Sequence, residues 1–472
     1  MRPDWDIRDA AWPADVPAAA WRYADGGELA WLDSPVDIAS APPGARFSLL
    51  CTRPCAVISQ FDGGPATLVA GGVARDRGTS GWRLWRRACD RLPHLPELPW
   101  EVGPGWVGYI GFELGRQLER LPASHAEDLG LPLLRLGLYD RGIVLDHAEQ
   151  RAFAVRAQGL TGLPWSADGD DEWLARWAVA ATTRHEFAFQ PAVLEYAPPR
   201  ADFQHAVSRA LAYIAAGDIY QVNLARRLRV GGIADAFATY VGVRRANPAP
   251  YAALLRWSDG AIASVSPELF LRVRGDVVLT QPIKGTRPHT GHPAVDERNR
   301  RELLESAKEA AELAMIVDLH RNDLGRVCRF GSVRVAAARR VEVHPTVFHT
   351  VADVTGRLAP GRDGLDLLAA CFPAGSISGV PKIRALEIID ELEPVARGAY
   401  TGALGVLGLD GQMTFNVAIR TLQIRGPAAT LYVGGGIVAD SQPAAEYAET
   451  CAKAAGILRG LGIAGAAVRV AV

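Results

Sequence analysis

Lysine is scarce in this sequence, and its scarcity bears on which partners and chemistry to expect. Only four of the 51 Lys and Arg residues are lysines, at Lys284, Lys308, Lys382 and Lys453. No basic block stands out and the net charge is −1, so we expect no nucleic-acid partner. Arginine stays protonated in a protein, whereas a desolvated lysine can become a neutral amine nucleophile. Each lysine is therefore a candidate for a role that arginine cannot fill. The alternative is that the four lysines are chance survivors in an arginine-rich composition.

Long apolar runs and clustered cysteines are also missing. No run approaches the roughly 20 residues that span a bilayer, and the first six residues contain no apolar signal core. The six cysteines are scattered, and no second pair or histidine cluster joins Cys51 and Cys55 to form a zinc site. We therefore expect a cytoplasmic protein with reduced thiols and no membrane partner.

The composition changes along the chain. Eleven of the twelve tryptophans lie before residue 178, whereas all four lysines lie after residue 283. The change falls in a stretch rich in Pro and Ala, residues 182–200. We predict an N-terminal region, 1–182, that shares a core with a second region, 201–460. A helical pattern over 201–216 is followed by a strand at 219–224, and many strands follow too closely for a regular βαβ array. The pattern predicts mixed α and β structure.

Two segments carry paired carboxylates at helical spacing. Residues 301–319 read as one helix with Glu309 and Glu312 three apart, and a second helix after a cap at 440–442 and an early proline carries Glu446, Glu449 and Lys453 on one face. Four carboxylates on two helices could converge on one Mg²⁺ ion, which prefers oxygen ligands. The alternative for either helix alone is a solvated acidic face.

Two further positions suggest acid–base or nucleophilic chemistry. Lys284 lies between a β-type run, 277–279, and a helix, where active-site side chains are often presented. Glu268 lies at a strand entrance beside apolar residues, where desolvation would raise its pKa and suit it to a general acid. The alternatives are a lysine left by chance and a turn glutamate.

Several other features suit the binding of an anion. The glycines 434–436, which include Gly435 and Gly436, read as a turn whose backbone can approach an anionic ligand. A Gly- and Ser-rich loop, 372–382, with Ser376, leads into a helix at 383–392. Arg420, on an expected strand, needs a partner such as a substrate carboxylate. His349 suits a core position as well as a catalytic one.

Taken together, the motifs resemble those of a known family. They occur in the order QPIKGTRP, VDLHRNDLGRV, HTVADVTGRL, CFPAGSISGVPKIRALEIIDELEP, RGAYTGALG, NVAIRT and GGGIVADSQPAAEYAETCAKA. This series resembles the chorismate-utilising enzymes, which include anthranilate synthase component I, aminodeoxychorismate synthase component I, and the isochorismate and salicylate synthases. The match is dense over about 201–458 and looser before it, although residues 45–50 resemble the family's N-terminal region.

The resemblance implies an α+β fold, a two-lobed sandwich with large, mainly antiparallel central sheets and outer helices. It also implies Mg²⁺ at Glu312 and Glu449, with Glu309 and Glu446 reaching the ion directly or through water. The metal would hold the ring carboxylate of chorismate. The remaining implied roles are general acid for Glu268, catalysis for His349, and substrate binding for Arg420, Gly435, Gly436, Lys453, Thr286 and Ser376.

The residues at two positions distinguish the family's activities from one another. Isochorismate and salicylate synthases carry a lysine base where this chain has Gln221, so activation of water by that route is not expected. Anthranilate synthases typically read PIAGT where this chain reads PIKGT, and a lysine there, at Lys284, is the mark of aminodeoxychorismate synthase. In that enzyme the lysine attacks C2 of chorismate as the C4 hydroxyl leaves, and ammonia then adds at C4. The product, 4-amino-4-deoxychorismate, leads to p-aminobenzoate and folate.

The resemblance also implies partners. None of the cysteines lies in the Gly-x-Cys-x-Gly turn of a glutaminase. We therefore expect chorismate and ammonia as substrates and a separate glutamine amidotransferase subunit. Anthranilate synthases often carry an LLES motif for tryptophan inhibition, and residues 47–51 differ from it, so we expect no feedback inhibition by tryptophan. The alternatives are an anthranilate synthase component I, a chorismate-binding paralogue without catalysis, and a specialised pathway for the same product.

Overall fold

The structure is a computed structural model that describes residues 3–35, 45–160, 170–188, 190–344 and 347–463. Within these residues the helices are α1 Val16–Ala24, α2 Gly81–Cys89, α3 Asp170–Thr182, α4 Arg200–Ala216, α5 Ala236–Ala246, α6 Pro293–Glu305, α7 Ala307–Gly325, α8 Gly364–Cys371, α9 Lys382–Leu392 and α10 Pro443–Gly460. Two short 3₁₀ turns cover Phe112–Gln117 and Gly375–Ile377.

Twenty-four strands make up the rest of the regular structure in the described residues. They are β1 Asp4–Ala10, β2 Leu29–Asp33, β3 Phe47–Thr52, β4 Ala56–Gln60, β5 Ala66–Ala70, β6 Val73–Gly78, β7 Gly105–Ile110, β8 Leu134–Leu138, β9 Arg141–Asp146, β10 Arg151–Gln158, β11 Val193–Tyr196, β12 Gln221–Gly231, β13 Tyr251–Trp257, β14 Gly260–Ser266, β15 Leu269–Arg274, β16 Val277–Gln281, β17 Ile283–Pro288, β18 Arg334–Val343, β19 Val347–Arg357, β20 Gly379–Val380, β21 Ala403–Gly408, β22 Met413–Val417, β23 Thr421–Arg425 and β24 Ala428–Ile437.

The strands form two large antiparallel sheets. The first has the order β1-β10-β9-β3-β2-β13-β14-β23-β24-β12-β11, with β20 beside β12. The second has the order β17-β19-β16-β15-β22-β21-β7-β8-β4-β5-β6, with β18 beside β19. In the first sheet β2 pairs with β13, and in the second β7 pairs with β21. Both sheets therefore contain strands from the two ends of the chain.

Alternating side chains on the strands explain why the sheets stack. On β2, Trp31 packs in the core beneath the outer helices, whereas Ala30 packs in a core that residues of both sheets share. On β21, Leu407 and Leu404 divide between an outer and the shared core in the same way. Because successive strand residues point to opposite faces, both faces of each sheet are buried.

The helices complete the outer layers. Residues of α1, α3, α5 and α10 join the core on the outer face of the first sheet, and residues of α2, α7 and α8 join that of the second. The expected α+β sandwich with antiparallel central sheets and outer helices is therefore confirmed. None of the helices in the described ranges is long and apolar enough to cross a membrane.

The expected helix ends are partly right. The helix expected to stop at residues 217–218 is α4, and Gly217 ends it with a φ of +84°, the left-handed conformation that glycine adopts most easily. The single helix expected over 301–319 is wrong, because the chain breaks at Ser306 into α6 and α7. The Ser306 side chain accepts a hydrogen bond from the Glu309 N–H and so caps α7. The spacing Ser-x-x-Glu is the sequence signature of such a cap.

Candidate active site

The candidate site lies where the chain crosses from one sheet to the other. Glu268 follows β14 of the first sheet and directly precedes β15 of the second. Arg420 lies between β22 of the second sheet and β23 of the first. The expectation that Arg420 lies on a strand is wrong, since it is a bend residue with a φ of +51°. Two short connections between the sheets thus carry an acidic residue, Glu268, and a basic residue, Arg420.

Lys284 lies on β17, in register with Thr350 of the neighbouring strand, and is half-buried. Its Nζ atom is 3.1 Å from the position that a Cβ atom on Gly436 would occupy, so the lysine of the second sheet reaches a glycine of the first. Desolvation lowers the pKa of Lys284, and the Lys453 charge adds to this, while the carboxylate of Glu312 opposes it. A larger fraction of this amine is therefore neutral than for an exposed lysine.

Glu268 is buried, with 4% of its surface exposed. Burial raises the pKa of its carboxyl to about 7, against the opposing effects of the Ser376 hydroxyl and the Lys284 charge. Its Oε1 atom has no hydrogen-bond partner among the described residues. A much larger fraction of this carboxyl is therefore protonated at neutral pH than for an exposed glutamate, which suits a general acid.

His349 is buried on β19. Its Nδ1 atom lies 3.1 Å from the Thr286 hydroxyl and 3.3 Å from the Gly285 carbonyl oxygen. Burial, with the positive charge of Arg420 nearby, lowers the pKa of His349 well below its ordinary value, so the imidazole is neutral. Its Nε2 atom has no partner in the described part of the chain.

Arg420 is half-buried, and burial alone lowers the pKa of its guanidinium. No acidic group in the described ranges offsets this loss of hydration. A desolvated guanidinium without a counter-ion favours the binding of an anion, and its two parallel N–H donors match a carboxylate.

The three consecutive glycines lie on β24, paired with β12, so the expectation of a glycine-rich turn is wrong. They serve close packing instead. A Cβ on Gly434 would lie 2.4 Å from the Leu224 carbonyl oxygen, and one on Gly435 would lie 3.4 Å from Oε2 of Glu446. Glycine therefore lets the carboxylates of α10 approach one face of this strand and Lys284 the other.

The side chain of Gln221, the first residue of β12, reaches the same glycine, Gly436, as the Lys284 amine. It is fully buried, and neither its amide oxygen nor its amide nitrogen has a partner among the described residues. The Nε2 atom is 3.1 Å from the Cβ position of Gly436, as is the Lys284 amine. Unpaired buried amides are costly, so a polar ligand at this point would be stabilised.

The acidic side chains of α7 and α10 face one another. The pKa of Glu312 is raised by burial and by the nearby carboxylates of Glu309 and Glu449. The pKa of Glu446 is likewise raised by burial and by Glu449. For Glu449 burial acts in the same direction, but the Lys453 ammonium lowers the pKa overall. Carboxylates of two helices thus repel one another across a shared space.

Each of these carboxylates also has a partner within the chain. The contacts are Arg287 to Glu309 at 2.9 Å, Lys453 to Glu449 at 2.7 Å, Lys308 to Glu312 at 3.9 Å and the Ser441 hydroxyl to Glu446 at 2.6 Å. Ser441 was expected to help cap α10, but no side chain caps this helix, and Pro443 alone opens it as expected. Ser441 holds a carboxylate instead.

The donor set fits a hard divalent cation in chemistry and charge, because four carboxylates that repel one another would be stabilised by it. As the side chains stand, no group of three or more His, Cys, Asp or Glu in the described ranges is gathered closely enough to hold a metal. One oxygen of each carboxylate contacts its internal partner instead.

Six of the predicted site residues lie in or around the space between the sheets, and two others are more exposed. Lys284, Glu268, Ser376 and Gly436 share the space between the sheets, and His349 and Arg420 border it. Thr286 and Lys453 are more exposed. Three side chains that contact the carboxylates, Arg287, Lys308 and Ser441, were not predicted to do so from the sequence. For Lys308, the scarcity of lysine was an available signal.

Most of the chain is similar to known proteins in sequence and in fold. The family of chorismate binding enzymes matches residues 52–459. Aminodeoxychorismate synthase component 1 of Salmonella typhimurium is 40% identical over 366 residues, 78% of each chain. Anthranilate synthase component 1 of Thermus thermophilus is 41% identical over 390 residues, 81% of this chain and 82% of the relative. The crystal structure of anthranilate synthase component I from Streptococcus pneumoniae superposes with a TM-score of 0.77 at 30% identity, covering 90% of this chain and 94% of that one.

Proposed function

Because this chain belongs to the chorismate-binding enzyme family, we propose that it is an aminodeoxychorismate synthase component I that converts chorismate and ammonia to 4-amino-4-deoxychorismate. The observation that carries this proposal is Lys284, an amine of lowered pKa near the Glu268 carboxyl, whose pKa is raised. A neutral amine next to a general acid is what a substitution through a covalent intermediate needs.

In the first step the Lys284 Nζ lone pair forms a bond to C2 of the chorismate ring. Both ring double bonds shift by one position toward C4, the C4–O bond breaks, and the departing oxygen takes the Glu268 proton to leave as water. Arginine at position 284 could not do this, because it has no free lone pair at neutral pH. Burial of Glu268 therefore has a role in the mechanism, since it keeps the acid protonated until the bond breaks.

In the second step ammonia bonds to C4, both ring double bonds shift back, and the C2–N bond breaks to release Lys284 as an amine. The pyruvyl group stays on the ring throughout. We propose that the buried amide of Gln221, which has no partner among the described residues, faces the substrate ring during this step. The carboxylate left on Glu268 accepts a proton from the new ammonium group and so returns to its starting state.

Substrate orientation is assigned to polar groups in and around the space between the sheets. We assign the pyruvyl carboxylate to Arg420 and to the backbone around Gly435 and Gly436, with Lys453 nearby. Ser376, beside Glu268, and Thr286, beside His349, are assigned to other polar atoms of the substrate. The neutral His349 is assigned to the reacting ring, which its Nε2 atom can contact because that atom has no partner among the described residues.

Magnesium is part of the proposal. Glu312 and Glu449 would hold the ion, and Glu309 and Glu446 would reach it directly or through water. When bound, Mg²⁺ supplies a positive charge that anchors the ring carboxylate of the substrate. The residues of α7 and α10 then fix where the ring lies relative to Lys284.

The ammonia is assigned to a separate glutaminase subunit. None of the six cysteines of this chain lies in a Gly-x-Cys-x-Gly turn. The chain alone should therefore react with ammonium salts and not with glutamine, and a glutamine-dependent rate should need a second protein.

The second candidate is an anthranilate synthase component I, because such relatives are as similar to this chain as the aminodeoxychorismate synthases are. Product identity separates the two. Purified protein with chorismate, Mg²⁺ and ammonium should yield aminodeoxychorismate by mass spectrometry, and wild type but not Lys284→Ala should carry a chorismate-derived adduct. Anthranilate with free pyruvate would refute the proposal, and turnover by Lys284→Ala at the wild-type rate would refute the nucleophile.

A further inference from the structure

Three of the four lysines of this arginine-rich chain lie at or beside the site, namely Lys284, Lys308 and Lys453. Lys284 faces Gly436, Lys453 contacts Glu449, and Lys382 forms a buried ion pair with Asp323. The fourth, Lys308, is the second residue of α7 and is about half exposed, with its Nζ atom 3.9 Å from Glu312 Oε1. The proposed chemistry assigns roles to Lys284 and Lys453 but none to Lys308.

Lys308 acts on both acidic helices. Besides its contact with Glu312 one turn along α7, it interacts electrostatically with Glu446 and Glu449 of α10. Its ammonium group therefore adds positive charge to the space where the carboxylates of the two helices meet. A divalent cation between the helices would feel the same carboxylates and would be repelled by the same ammonium.

The use of lysine at this position is informative. On the preceding helix, α6, the equivalent pairs four residues apart use arginine, Arg298 with Glu302 and Arg301 with Glu297. An arginine can hold a carboxylate through two parallel N–H donors, whereas a lysine makes a single, strongly hydrated contact. The Lys308 end of the pair is about half exposed and the two groups are 3.9 Å apart, so the contact is weak and readily exchanged.

We propose that Lys308 is a displaceable internal counter-ion, which stabilises the metal-free carboxylates and lowers their affinity for the divalent cation. The inference rests on the proposed magnesium site. It adds that the metal affinity of this chain is set partly by a competing side chain that the metal must push aside. Lysine at 308 keeps the carboxylates in place without binding them as firmly as arginine would.

The test is a titration of the metal-free, full-length protein with Mg²⁺ by calorimetry, and with Mn²⁺ by the electron paramagnetic resonance signal of the free ion. We expect Lys308→Gln to bind either ion roughly three- to tenfold more tightly than wild type. Lys308→Arg should bind it about two- to threefold more weakly, because the fork of arginine holds Glu312 more firmly. Arg298→Gln, which removes an exposed pair of the same spacing on α6, should leave the dissociation constant unchanged.

Thermal melting supplies a second readout. Without metal, Lys308→Gln should melt below wild type because the carboxylates lose a counter-ion, and saturating Mg²⁺ should close that gap. Equal dissociation constants for wild type, Lys308→Gln and Lys308→Arg would overturn the inference and leave the magnesium site standing. Absence of metal binding by the wild type would overturn both.

Discussion

Replacing Glu268 with glutamine should abolish activity and stabilise the protein. Burial raises the pKa of this carboxyl from 4.5 to about 7, so ionising it costs more in the folded chain than in the unfolded chain. Below pH 4.5 both states are protonated and the cost is absent. It grows between pH 4.5 and pH 7 and stays constant above, where it reaches about 3 kcal/mol. Glutamine has nearly the same shape and is neutral throughout, so it removes this cost.

The assay compares wild type and Glu268→Gln by urea and thermal unfolding from pH 4 to pH 8. The two proteins should be nearly equal in stability at pH 4, and the variant should gain with rising pH until it exceeds wild type by about 3 kcal/mol at pH 8. Its rate with chorismate and ammonium should fall by at least about a hundredfold, since proton donation contributes roughly 10²–10⁴-fold.

A matched control carries the opposite sign. Glu393 is buried to the same degree, but it is paired with the buried guanidinium of Arg397. Glu393→Gln should therefore lose roughly 3–5 kcal/mol of stability, because it leaves a buried charge uncompensated. Equal stability differences at pH 4 and pH 8 for Glu268→Gln, or a loss at both, would refute the reasoning about Glu268.

Three other outcomes follow from the site. The value of kcat/KM should fall above pH 7 as Glu268 loses its proton, and a pH profile that is flat to pH 9 would contradict this assignment. Gly436→Ala places a Cβ 3.1 Å from the Lys284 amine, so the rate should drop about tenfold or more at unchanged Tm. Lys382→Met should lower the free energy of unfolding by roughly 3 kcal/mol, because it strands the buried Asp323 carboxylate, and urea titration measures this.

Local features of this fold could be predicted from the sequence. Helix α4 ends at Gly217, and α9 and α10 begin within a residue of a proline, as the spacing of turn residues and apolar residues indicated. Glu268 was expected at a strand entrance beside apolar residues, and it lies immediately before β15 with a raised pKa. These features depend on a few neighbouring residues, which is why a local pattern is sufficient.

Features that depend on distant partners could not be predicted in this way. Gly435 and Gly436 read as a turn, yet they lie on a strand because β12 and the carboxylates of α10 approach them closely. Arg420 reads as a strand residue, but β22 and β23 belong to different sheets, so the chain must turn there. Only the sheet order, which no single segment encodes, reveals these crossings.

The pairing of β7 with β21 has a consequence for how the protein is made. Residues 105–110 have their permanent neighbour at residues 403–408, about 300 residues later. At roughly 5–20 residues per second, a ribosome needs about 15–60 s to supply it. During that interval one side of β7 has no partner, and the nascent chain carries an open strand edge that can pair with another chain. Slower growth at low temperature, or a chaperone that covers strand edges, should therefore raise the yield of folded protein more than a stronger promoter would.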